Sequence, residues 1–170
     1  MHRTSIPDGV YLGFIGSGFK ADPFVHNFIV TVKHGEPDTL EFGPDAKNKN
    51  SDVDYRNVLT SESFGLAEIP APKGETDDQF VDNVRSAQRS IHAIPEADKP
   101  AYSVLPGGAN CESSASGVLE AVGVPPSEIK NAYEQRLFGS QDLWLETPYD
   151  YRGLIQDGTN ALNRDSIERR

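Results

Sequence analysis

The sequence predicts an α+β fold, and three observations carry that reading. The run Phe24 to Lys33 is rich in β-branched and aromatic residues and returns, after a turn, as a second extended run at Thr39 to Gly43. Downstream, apolar residues recur at helical spacing in three segments between residues 80 and 137. A capping-box pattern, Thr76-Asp77-Asp78-Gln79, stands directly ahead of the first of them. The expected architecture is a small antiparallel sheet packed against a helix that carries the single cysteine at its N-terminus.

Taken in order, Val10 to Ile15 reads as a short strand running into the loop Gly16-Ser17-Gly18. The near-continuous apolar character of residues 24 to 33 suits a strand buried on both faces. His34 to Asp38 reads as a turn, so this strand and residues 39 to 43 form an antiparallel hairpin. Residues 44 to 75 read as a polar excursion around one short strand, Val58-Leu59-Thr60. Phe80, Val84, Ala87, Ile91 and Ile94 then mark the most strongly patterned helix, ended by Pro95 and Pro100. Tyr102 to Leu105 leads into the turn Pro106-Gly107-Gly108. Asn110 suits an N-cap, and Ala115, Val118, Leu119 and Val122 make an apolar stripe stopped by Gly123. Ser127 to Leu137 reads as a further helix. In the mixed tail Tyr149, Tyr151, Leu154 and Ile155 can pack, and residues 163 to 170 read as frayed.

The 170 residues fit one domain with a real core. Hydrophobic residues make up 36%, beside 15 glycines and 12 prolines, which points to modest elements joined by ordered turns. One cysteine excludes an intramolecular disulfide framework and any thiolate-rich zinc site. A net charge of −10, with scattered cations, opposes nucleic-acid binding. No apolar run approaches the roughly 20 residues of a membrane helix, and the start has no hydrophobic signal-peptide core. The four histidines lie too far apart in sequence to announce a metal site, and no cofactor motif is present: residues 13 to 20 hold glycines and a lysine without phosphate-loop spacing.

Candidate chemistry centres on Cys111. Unpaired peptide N–H groups and the positive end of a helix dipole stabilise a sulfur anion, so a cysteine in a first helical turn is a natural nucleophile. A thiol nucleophile needs an imidazole to take its proton and return it to the leaving group. His26 is the candidate, because it opens an apolar strand and an imidazole there needs a polar partner. A third group usually orients the imidazole. If Lys33 pairs with Asp38, His26 falls opposite Asp45, with Glu41 on the same alternating face; Asp45 is the first candidate and Glu41 its reserve. Asn110 either caps the helix or contributes a side-chain donor to an oxyanion hole that includes the Cys111 N–H.

These residues carry a resemblance. His26-Asn27-Phe28-Ile29-Val30, the partner run Glu41-Phe42-Gly43-Pro44 and the later Asn110-Cys111 helix start resemble the circularly permuted papain-like superfamily, across residues 24 to 45 and 102 to 124. That group includes permuted NlpC-like cell-wall peptidases, lecithin retinol acyltransferase-like enzymes and toxin domains of bacterial secretion effectors. The resemblance implies Cys111 as nucleophile, His26 as base and a thioester intermediate. It departs at the orienting position, where the acyltransferase-like branch often has a histidine and this chain offers acids or Gly43. The implied function is a cysteine-dependent amidase or peptidase without a cofactor. The chain looks most like an effector toxin domain, made in the cytoplasm and delivered by a dedicated secretion machine. Its expected partners are peptidoglycan stem peptides first and a target-cell protein second, with an immunity protein as a further candidate. The alternatives are a lipid acyl hydrolase or transferase of the same superfamily, and a non-catalytic accessory protein of a phage or secretion system.

Overall fold

The computed structural model describes residues 6–16, 25–44, 50–53, 64–103, 108–136 and 150–168. Five strands form one sheet: β1 (Gly9–Gly16), β2 (Val25–Lys33), β3 (Glu36–Pro44), β4 (Asn50–Val53) and β5 (Phe64–Ile69). Their spatial order is β4-β3-β2-β1-β5, and every neighbouring pair is antiparallel. Four α-helices follow: α1 (Asp77–His92), α2 (Cys111–Ala121), α3 (Pro126–Arg136) and α4 (Arg152–Glu168). The protein is therefore α+β, with strands first and helices after them. No helix among the described residues is long and apolar enough to cross a membrane.

The two sheet faces differ in load. Val10, Leu12, Ile29, Leu40, Phe42, Ala67 and Ile69 join side chains from α1, α2 and α3 in the main core. Tyr11, Phe28, Val30 and Val32 form a smaller cluster on the alternate face. β2 is thus buried on both sides, as its unbroken apolar run requires. Gly13 lies opposite Phe28, and a Cβ there would fall 2.4 Å from the Phe28 ring, so only glycine leaves room for the aromatic.

α1 begins at the expected capping box: Thr76 Oγ1 accepts the Gln79 N–H, and Gln79 Oε1 accepts the Thr76 N–H. The helix is clamped across the β2–β3 hairpin by polar contacts. Arg85 donates to Thr31 Oγ1 and to the Glu36 carbonyl, Gln88 donates to the Thr39 carbonyl, and Lys33 pairs with Asp82 at 2.6 Å.

The hairpin turn is shorter than the sequence suggested. Lys33 pairs with Glu36, and only His34 (φ 55°) and Gly35 (φ 74°) bridge the strands. Both central residues have the positive φ of a two-residue hairpin turn that matches strand twist. The Asp8 carboxylate accepts both turn N–H groups, which holds His34 in a conformation glycine would adopt more readily. Pro37, read as part of the turn, lies inside β3 opposite Val32.

Three elements escaped the sequence reading. β4 and β5 both fall in the stretch read as a polar excursion around one short strand, and α4 in the mixed tail. The strand expected at residues 58 to 60 lies outside the described residues.

Candidate functional site

The first turn of α2 is built by side chains that leave one amide without an acceptor among the described residues. Asn110 is extended (φ −139°, ψ −174°), and its Oδ1 accepts the N–H groups of Glu112 and Ser113, each at 3.0 Å. Ser113 Oγ accepts the Asn110 N–H at 3.0 Å and donates to the Gly108 carbonyl at 2.7 Å. The Ser114 N–H takes the ordinary helical bond to the Asn110 carbonyl. Of the amides that open the helix, only that of Cys111 meets no acceptor among the described residues. The side-chain amide of Asn110 donates to the Ser103 carbonyl at 3.3 Å, so this residue caps and ties down the helix start. The Ser103 N–H donates to the Ala109 carbonyl, which fixes the approach to the turn from its other side.

α2 is a central helix. Ser113, Ser114, Ala115, Ser116, Gly117, Val118 and Leu119 are all buried, while Cys111 at its tip is half-buried. A half-buried thiol at the tip of a buried helix has a fixed frame behind it.

β2 and β3 supply the partners. The last residue pair between them is Phe28 with Glu41, after which β3 continues beside β4. Alternation places His26, two residues before Phe28, on the same face as Phe28 and therefore as Glu41. His26 Nε2 and Glu41 Oε1 are in ion-pair contact, and Glu41 is 3% exposed. The contact is not aligned as a hydrogen bond, and the second carboxylate oxygen, Oε2, is buried with no hydrogen-bond partner among the described residues.

The imidazole responds to both neighbours. Burial alone would push His26 down, but its side-chain interactions with Cys111 and then with Glu41 outweigh burial and raise it to about 9. At neutral pH it is an imidazolium lying in reach of a thiol and a carboxylate.

The structure therefore brings Cys111, His26 and Glu41 together, with Asn110 behind them as the cap. Asp45 lies outside the described residues. The register explains why Glu41 takes the contact. Pairing is two residues tighter than Lys33 with Asp38 would give, and its continuation sets His26 opposite Gly43. Face parity survives a two-residue shift, so Glu41 stays on the imidazole's side.

Two residues that the sequence did not single out for the site also reach α2. The Tyr133 hydroxyl lies 3.3 Å from Ser116 Oγ, and the Tyr151 hydroxyl donates to Ser114 Oγ at 3.1 Å. Three serines in four residues beside the cysteine were the available signal, since buried hydroxyls need partners. Among the described residues no group of three or more histidine, cysteine or acidic side chains could hold a metal ion. No family model, curated protein or solved structure matches the chain.

Proposed function

We propose that the protein is a cysteine-dependent amidase or peptidase of the permuted papain-like kind, working through a thioester. The observation that supports this most is the placement of one imidazole between a helix-tip thiol and a buried carboxylate. Glu41 faces Nε2, which leaves Nδ1 to exchange a proton with Sγ. With that proton on the imidazole, Sγ attacks the acyl carbon of the substrate. The carbonyl π pair moves onto oxygen, where the Cys111 N–H, which meets no acceptor among the described residues, can donate to it. Collapse breaks the C–N bond, and His26 passes its proton to the departing amine. Water then attacks the thioester, giving one proton to His26; collapse breaks the C–S bond, the acid product leaves, and the thiolate–imidazolium pair re-forms.

An amine leaves only when protonated, and an imidazole that holds its proton to about pH 9 is supplied with that proton throughout the neutral range. A lipid acyl substrate calls for an exposed apolar surface, and Leu162 is the one large hydrophobic residue well exposed among the described residues.

The substrate is best sought by compartment. Expression of the wild-type chain in the bacterial periplasm should lyse cells if stem peptides are cleaved, whereas damage from cytoplasmic expression alone would point to a protein target. Cys111→Ala should be harmless in both places. Toxicity retained by Cys111→Ala, or no acyl-enzyme mass after incubation with muropeptides and cell extracts, would overturn the hydrolase reading in favour of a binding protein.

A further inference from the structure

The helix that carries the thiol is held at three angles about its own axis. Successive helical residues turn by about 100°, so relative to Cys111 the side chains of Ser116, Ser113 and Ser114 leave the axis at about 140°, 200° and 300°. Each hydroxyl meets a different part of the protein: Ser116 the Tyr133 hydroxyl, Ser113 the Gly108 carbonyl, Ser114 the Tyr151 hydroxyl. All three serines are buried. The sector containing Cys111 is the apolar one, where Ala115, Val118 and Leu119 are buried in the main core.

Tyr151 differs from the other two anchors because it reaches the opposite half of the site as well. It is 1% exposed, and its ring packs on Phe42 with centroids 5.3 Å apart and planes at 49°. Phe42 is the residue after Glu41 on β3. One side chain thus touches both the nucleophile's helix and the strand of the carboxylate. Its own place is tied to α4, since the Ile155 N–H donates to the Tyr151 carbonyl. α4 in turn docks closely on α1: a Cβ on Gly158 would lie 1.8 Å from the Ser90 carbonyl oxygen, and Ser90 and Thr159 share a hydrogen bond of 2.8 Å.

We infer that Tyr151 is a positioning residue for the Cys111–His26–Glu41 site, setting the rotation of α2 relative to β3. The inference rests on the hydrolase reading and adds to it that the fourth helix takes part in reactivity. A rotation of about 10° displaces a side-chain atom 5 to 6 Å from a helix axis by about 1 Å, and misplacement of that size can cost up to about 100-fold in rate.

The test is the rate of Cys111 alkylation by iodoacetamide as a function of pH in the native protein, with the melting temperature measured alongside. Tyr151→Phe keeps the ring on Phe42 and deletes the hydroxyl; Ser114→Ala deletes the acceptor and serves if the first variant does not fold. Each should slow alkylation at pH 6 by about ten-fold and move the pH–rate profile toward that of His26→Ala, and the double variant should be no worse than the slower single one. A lowered melting temperature with an unchanged pH–rate profile would make Tyr151 a core residue only and overturn the inference. If His26→Ala itself alkylates at the wild-type rate, the thiol–imidazole pair fails and takes this inference with it. A slow His26→Ala beside an unchanged Tyr151→Phe removes the inference alone.

Discussion

Glu41 lies opposite Phe28 in the backbone ladder, yet its carboxylate meets His26, two residues away along the same face of β2. This diagonal pairing is within reach because side chains i and j±2 on one face of an antiparallel pair are neighbours. The carboxylate has given up solvent, and its Oε2 has no hydrogen-bond partner among the described residues. A buried acid held this way acts chiefly on the imidazole beside it.

Glu41→Gln should therefore weaken the imidazolium without changing side-chain size. Alkylation of Cys111 at pH 6 is expected to slow about 10- to 100-fold, with the fold retained by circular dichroism. Asp45→Asn should leave the rate within about two-fold of wild type. The reverse pattern would transfer the orienting role to Asp45.

Replacing Cys111 or His26 by alanine should each reduce amide hydrolysis by at least about 1,000-fold, and the double variant should be little worse than either single one, since the two act as a unit. Multiplying losses in the double variant would show independent roles and break the proposed mechanism. Progress curves on the same substrate decide it.

Stability should fall on the alkaline side. His26 holds its proton to about 9 when folded and to about 6.5 when unfolded, so folding binds this proton more tightly. The stabilisation is complete below about pH 6.5 and is lost as pH rises through about 9. Because 32% of the side chain is exposed, solvent screening reduces the effect, to an expected loss of about 1 to 2 kcal/mol between pH 6 and 10 relative to His26→Gln. Urea unfolding of both proteins across that range would expose a flat difference, which would contradict the raised imidazole.

Asn110→Ala removes the acceptor of two amides and should cost about 1 to 2 kcal/mol, while Asn110→Ser should restore most of it. Equal melting temperatures for all three proteins would show that the cap does not hold α2.

Much of this arrangement was legible in the chain because local chemistry wrote it there. Thr76 and Gln79 announce α1, Asn110 announces α2, and the apolar run from Phe24 announces a strand buried twice. Cys111 and His26 were singled out from their local context, whereas Glu41 came from an assumed hairpin register and only as the reserve to Asp45. Register was less legible: His34 and Gly35 make a tight turn only because Asp8, 26 residues earlier than His34, accepts their amides. β5 and α4 were missed for a related reason. Phe64-Gly65-Leu66-Ala67 holds a glycine that makes room for the Phe14 ring, and α4 carries Gly153 and Gly158 and is settled by contact with α1. Tyr151 joined the site through tertiary packing, which no local pattern records.

The two-residue turn makes hairpin length a functional variable. One residue inserted between His34 and Gly35 would advance β3 by a single step and send the Glu41 carboxylate to the opposite side of the sheet, while both strands could still pair. A two-residue insertion would preserve the side and move the acid one pleat along. Natural variation in this turn should therefore come in even steps, because an odd step would also turn Leu40 and Phe42 out of the main core and lower stability together with thiol reactivity.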